Sequence, residues 1–398
     1  MIKPVHLRTG LAAGAILLGM VIPGAKAQTP TPTEASPNPF VSAGAAVAPD
    51  ADGRYDLGAL GYRPTRVAAR KAADSFRVLF IGDSYIYGIT TDDHTVPSLL
   101  ENRLNTAIAD RDIEIINLGV PSVGFPEYIA IYKFWSGRLE HDAVIFNIHA
   151  GTDWIDLRHS VPYQQLGDAL VDAPDLLVAP GVIAAQNPGP PAKLHGESDF
   201  APAIPADDRY ESQVQFNDTA FLTIMLAWGK SYMAARLDDL KRGYEWARRL
   251  VRFADGLARS GTETLLVIAP SPLAASSEWR QRVATASSIE PTGIDPALPG
   301  ALLQRMATRD GLSVPLLDLT GCLARQDRPD APIFYGTNGH WGVDGNAAAA
   351  EILSAAVRQR WFGKAVTAVP GACNANELTP REISIHDSYL DQLDQESR

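Results

Sequence analysis

A serine hydroxyl is a weak nucleophile until a base takes its proton, so a chain that uses one must bring a base to it. Two residues here fit those roles. Ser84 follows a short apolar run in Phe80-Ile81-Gly82-Asp83-Ser84, and His340 lies far downstream in Thr337-Asn338-Gly339-His340-Trp341. Between them lie two further short segments, Asn117-Leu118-Gly119-Val120-Pro121 and His149-Ala150-Gly151-Thr152-Asp153. The chemistry these residue types suit is attack on an acyl carbonyl. Glycine lets main chain come close to a ligand, so the backbone N–H groups of Ser84 and Gly119 are candidate donors to a developing oxyanion. Each segment alone also has a plain structural explanation, Gly-Asp-Ser as a helix-capping turn and the histidine as a core residue.

Their placement gives them weight, because each follows a segment that reads as a buried strand. Arg77 to Gly82, Glu114 to Leu118, Ala143 to Ile148, Thr264 to Ala269 and Val314 to Leu319 are short apolar runs, as parallel strands covered on both faces must be. Helical spacing appears between them, at Val96 to Ala109, Glu127 to Trp135, near Ala234 to Ala258, near Leu302 to Thr308, and from Asp344 to about Gln359. The alternation predicts an α/β fold, a single doubly wound parallel sheet of about five strands in flavodoxin-like order. In such sheets ligands collect at the carboxyl ends of the strands, where Ser84 and His340 fall. The stretch 157–234 breaks the alternation with about 80 residues, its first half rich in Pro, Gly and Ala; it reads as an inserted cap or lid, or as a loose surface insertion.

Composition narrows the class further. The 398 residues are 46% apolar and 20% charged, which fits a globular protein, and the net charge of −11 leaves no electrostatic footprint for nucleic acid or an anionic membrane. Residues 1–27 read as a signal peptide: Lys3 and Arg8, an apolar run from Leu11 to Ile22, then Ala25-Lys26-Ala27. Its removal takes the charge to −14 and leaves a mature chain with no membrane span, destined for the periplasm or the exterior. Residues 28–54 read as a Pro/Thr/Ala-rich tether and 55–370 as the catalytic domain. The polar tail 371–398 follows. In an oxidising compartment Cys322 and Cys373 pair as one disulfide or remain two buried thiols. A bond closing about 50 residues contributes roughly 4 kcal/mol in the chain-entropy model. Two cysteines exclude a thiolate cofactor cage, and no cofactor is expected.

The four segments together resemble the SGNH branch of the GDSL hydrolases, from about Tyr55 to Trp361. FIGDSYIYG is similar to the block that carries the nucleophile, implying that role for Ser84. NLGVPSVG is similar to the second block and implies an oxyanion glycine at Gly119. GHWGVDGNAAAAEIL is similar to the histidine block and implies the base at His340. The chain departs from the family pattern at two places. Thr152 stands where an oxyanion-donating asparagine is usual, and the acidic partner that usually precedes the histidine by two or three residues is replaced by Asn338 and Thr337. The Asn338 oxygen, or a backbone carbonyl, is left to orient the imidazole. Asp83 is read as structural.

The resemblance implies an exported serine esterase or O-acyltransferase acting on an acylated carbohydrate through a Ser84–His340 dyad. The two substitutions also fit a binding module that keeps the fold and has lost turnover; an envelope scaffold is a third reading. His149, Asp153, Asp156 and His159 are spaced closely enough for a metal, but the first two lie in a segment the family already explains, so no metal is expected. Trp154, Trp228, Trp341 and Tyr85 suit either a sugar-stacking cleft or core packing. Oligomeric state is not encoded in any of these features.

Overall fold

Eight consecutive buried residues, Ser75–Gly82 (SFRVLFIG), leave no face for water and form the strand around which the domain is built. A small antiparallel pair precedes it, β1 (Arg54–Asp56) with β2 (Arg66–Ala68), so the central strand is β3. In the computed structural model, residues 47–155, 207–364, 373 and 380–396 are described, apart from positions 61, 122, 213, 234–235, 237–239 and 329. The expected signal peptide, most of the expected tether and the first half of the expected insertion lie outside the described residues.

After β3 come α1 (Ser84–Tyr87), α2 (Val96–Ala107), β4 (Asp112–Gly119), α3 (Phe125–Ser136) and β5 (Ala143–His149). Then follow α4 (Asp218–Trp228), α5 (Lys241–Arg259), β6 (Glu263–Ala269), α6 (Pro272–Ala275), α7 (Ser277–Ser287) and α8 (Leu298–Arg309). The chain closes with β7 (Leu316–Asp318), α9 (Thr320–Gln326), α10 (Val343–Phe362) and α11 (Pro380–Glu396). β3 to β7 form one parallel sheet in the order β4-β3-β5-β6-β7. This is the doubly wound order expected from the alternation, and β3 stands where the winding reverses, the place where such sheets open a crevice.

Both faces of the sheet are covered. Leu79, Ile81, Phe146, Ile148 and Ile268 face a core shared with α3, α4, α5 and α8, while Val78, Phe80, Ile145 and Val267 face one shared with α2 and α10. Period-two alternation along each strand divides the residues between these cores. At the amino end of β3 the buried Arg77 guanidinium is bonded to Glu114 Oε2 at 2.7 Å and to the Ala68 and Glu140 carbonyls at 2.8 and 3.1 Å. That tie fixes the β1–β2 pair to the sheet.

Six of the described α-helices go beyond the sequence expectation, among them α7, α9 and α11. α7 is short and largely polar, and starts because the Ser276 side chain accepts from the Trp279 N–H at 3.2 Å. α9 carries Cys322, which is disulfide-bonded to Cys373 with Cα atoms 4.8 Å apart. α11 lies in the segment expected as a plain polar tail. Its Asp387, Asp391 and Asp394 recur at helical spacing and pair with Arg305 and Arg309 of α8 and Arg248 of α5, around the buried Leu390. The helix expected near Ala234 begins at Lys241.

Candidate active site

Ser84 is the first residue of α1, set there by a turn at the carboxyl end of β3. Asp83 caps the helix, its Oδ1 accepting from the Tyr85 N–H at 2.9 Å. As the first residue of α1, Ser84 has an N–H among the donors a helix start leaves without an intrahelical acceptor. The Ser84 hydroxyl lies 2.8 Å from Nε2 of His340, which arrives from the loop between α9 and α10. Nδ1 of His340 lies 2.8 Å from Asn338 Oδ1.

The Asn338 amide is oriented by its other end. Nδ2 donates to the Val214 carbonyl at 2.7 Å, which assigns NH₂ to that side and Oδ1 to the imidazole. An oxygen there can only accept, so the imidazole proton belongs on Nδ1 and Nε2 keeps its lone pair for the Ser84 O–H. Both side chains are buried, and burial pushes the His340 pKa down to about 4. The imidazole is therefore neutral, as a base must be.

The loop that carries His340 is fixed by close packing. Gly339 has φ +89°, and a Cβ there would come within 3.2 Å of the Phe221 and Trp228 rings. Its carbonyl accepts from the Tyr85 hydroxyl at 2.5 Å. Tyr85 is next to the nucleophile in the chain and lies between two imidazoles, stacked on His149 at 4.0 Å and tilted on His340 at 5.0 Å.

Thr152 and Gly119 have partners of their own. The Thr152 hydroxyl is 2.7 Å from His149 Nδ1 and 3.4 Å from Asp83 Oδ2. Desolvation disfavours charge in this cluster: Asp83 is pushed up to about 7, and His149 is pushed well below its ordinary value by burial and then by its neighbour His340. Gly119 donates its N–H to Asn117 Oδ1 at 2.9 Å, and a Cβ on it would lie 2.2 Å from the Tyr87 nitrogen. Glycine is thus needed there for α1 to pack on β4. A donor role for Gly119 or Thr152 requires the present bond to be given up.

The remaining sequence candidates are inside the protein. Trp154, Trp228, Trp341 and Tyr85 are all buried, so their faces pack in the core. Asp153 Oδ2 accepts from the His149 N–H at 3.0 Å and the Tyr128 hydroxyl at 2.9 Å. Asp156 and His159 lie outside the described residues, and no metal-holding group of His, Cys, Asp and Glu occurs among the described ones. Val214 is the site residue that sequence reasoning did not assign, because a backbone carbonyl has no sequence signature; Tyr85, a sugar-stacking or core candidate there, is found instead bonded to the Gly339 carbonyl.

Residues 232–378 match the family model described as the SGNH hydrolase-like domain of the acetyltransferase AlgX. That stretch is similar to an SGNH hydrolase-like domain. The matched stretch contains Asn338 and His340, while Ser84 lies outside it. No curated protein matches. Among solved structures, LAE5, an alpha/beta hydrolase enzyme from the metagenome of Lake Arreo, Spain, is 14% identical with a TM-score of 0.36, covering 71% of this chain and 96% of that one. A lipase/acylhydrolase from Enterococcus faecalis is 12% identical with a TM-score of 0.33, covering 72% and 96%. A catalytic mutant of Axe2, an acetylxylan esterase from Geobacillus stearothermophilus, is 12% identical with a TM-score of 0.34, covering 71% and 93%. At such TM-scores these likenesses carry no argument about what the chain acts on.

Proposed function

We propose that the protein is an exported serine esterase or O-acyltransferase that works on an acylated carbohydrate through Ser84 and His340. The observation that carries this reading is the run of hydrogen bonds from Ser84 Oγ to His340 Nε2 and from His340 Nδ1 to Asn338 Oδ1. In the proposed reaction Ser84 Oγ attacks the acyl carbonyl carbon and its proton passes to His340 Nε2. The oxyanion sits on the Ser84 N–H, joined by Gly119 and Thr152 if they release their present partners. Collapse expels the alcohol, which takes the proton from His340 and leaves an acyl-Ser84. Water or a sugar hydroxyl then gives a proton to His340 and attacks the acyl group, and His340 passes that proton to the departing Ser84 Oγ, freeing the serine and restoring the neutral imidazole.

Asn338 orients the imidazole in this scheme but brings no charge to the imidazolium that forms, so a slower enzyme than a full acidic triad is expected. The family description, an acetyltransferase, supports acyl transfer; the carbohydrate substrate class rests on the resemblance to SGNH hydrolases alone. Export is supported by the disulfide, a bond that persists in oxidising compartments, and by the leader-like residues 1–27. No described helix is long and apolar enough to cross a membrane. A second reading, a glycan-binding module without turnover, is favoured by the engaged Gly119 and Thr152 donors. The two separate on an acetylated oligosaccharide. The enzyme releases or transfers acetate and loses that activity on Ser84→Ala, whereas the module binds equally well with either residue and turns nothing over.

A further inference from the structure

The second half of the inserted stretch is bonded to both sides of the site. On the nucleophile side, the Glu211 and Ser212 N–H groups donate to the Ile89 carbonyl at 2.9 and 3.1 Å, and the Thr91 N–H donates to the Arg209 carbonyl at 2.9 Å. The buried Arg63 joins the same seam, reaching Glu211 Oε1 at 2.7 Å and the Tyr87 carbonyl at 2.9 Å. On the base side, Gln215 Oε1 accepts from the Thr337 N–H at 2.6 Å and Gln215 Nε2 donates to the Tyr335 carbonyl at 3.2 Å. The Thr337 hydroxyl donates to the Phe216 carbonyl at 2.5 Å, and the Tyr210 hydroxyl accepts from the Val343 N–H at 3.1 Å. The Tyr210 and Tyr335 rings stack at 4.1 Å. Between these ties the Val214 carbonyl meets Asn338 Nδ2.

The Val214 carbonyl can only accept, so whatever faces it must donate. An amide satisfies both neighbours at once, giving N–H to Val214 and taking N–H from His340. A carboxylate held here sets a charged oxygen against a carbonyl oxygen in a buried place, where an uncompensated pairing is costly, so it turns away and leaves the His340 Nδ1–H without its acceptor. We propose that residues 209–212 and 214–216 are a positioning element of the active site and that the Val214 carbonyl makes an amide, not a carboxylate, the required partner of His340. The inference rests on the hydrolase reading for its catalytic meaning. It reverses the sense of the Asn338 departure: restoring the acid that the family pattern carries damages this site.

The test compares the full mature chain with Asn338→Asp and Gln215→Ala, using a fluorophosphonate probe at pH 7 and the nitrogen NMR shifts of His340. The expected result is that Asn338→Asp lowers the maximal labelling rate by roughly 10–100-fold, the half-saturating probe concentration staying unchanged. Its His340 loses the pattern of protonated Nδ1 and bare Nε2 that the wild type shows. Gln215→Ala, which leaves the Ser84–His340–Asn338 set intact, lowers the maximal rate by roughly 3–10-fold, and it decides the matter if Asn338→Asp does not fold. Labelling of Asn338→Asp as fast as the wild type with the same His340 shifts, or an unchanged rate in Gln215→Ala, overturns the proposal. If the folded wild type does not label at all, the hydrolase reading fails, and the His340 shifts still show whether the amide sets the tautomer.

Discussion

The two halves of the site are held in different ways. Ser84 is positioned by neighbours in the chain: β3 delivers it, Asp83 caps its helix, and the Asn117 side chain donates to the Ile86 carbonyl at 2.9 Å beneath it. His340 is positioned by residues remote in sequence, Val214, Gln215 and Phe216 from the inserted stretch and Tyr85 from the nucleophile helix. A nucleophile at a strand–helix turn inherits its place from the sheet. A base on a loop has no such scaffold, and here the insertion supplies one.

That contrast can be broken at its strongest point first. His340→Ala removes the base while leaving the nucleophile half intact, and esterase activity should fall by roughly 10²–10⁴-fold. The pH profile sharpens the same point. His340 is the group whose protonation stops the reaction, and burial holds its pKa near 4. The rate on an acetyl ester should therefore stay level as pH falls from 8 to about 5, then drop as the imidazole protonates. Tyr85 packs against it, His149 lies near enough to be felt electrostatically, and Asp83 stands beside His149; Asp83 is pushed up to about 7 and so gains a proton in the upper part of that range. Loss of half the rate near pH 6.5 would show an imidazole less shielded than the geometry requires.

Stability follows the same groups with the signs worked out. His340 and His149 resist protonation when folded, so they withdraw stability as pH falls below the ordinary histidine value toward 4. Asp83 holds its proton more tightly when folded, so its contribution is present at low pH and is lost as pH rises through about 7.

Smaller effects probe the link between the halves and then the periphery. Tyr85→Phe deletes only the hydroxyl that ties the nucleophile helix to the Gly339 carbonyl, and should slow turnover about tenfold with the apparent substrate affinity unchanged. Arg305→Ala, which breaks one of the ion pairs under α11, should cost less than about 1 kcal/mol of stability, less still at high salt, and leave turnover alone.

The sheet was legible in the sequence because its strands are continuous apolar runs, and the order of winding follows from the right-handed crossovers such runs impose. Ser84 and His340 were legible because each follows a strand. The residue types of Asn338 and Thr152 were legible, but their partners were not. Whether an asparagine faces a histidine with its oxygen depends on a carbonyl more than a hundred positions away, and a threonine that could serve an oxyanion is seen here bonded to His149. The brace at 209–212 and 214–216 was hidden for the same reason, since backbone-mediated ties carry no side-chain pattern. α11 was missed because its acidic stripe looks like a solvated tail until Arg248, Arg305 and Arg309 are found opposite it.

The central claim is that His340, oriented by an amide, activates Ser84. The most direct measurement is the intact mass of the mature chain after exposure to a fluorophosphonate, beside Ser84→Ala. The account predicts one covalent adduct on the wild type and none on the Ser84→Ala chain. A correctly folded wild type that remains unmodified would contradict it.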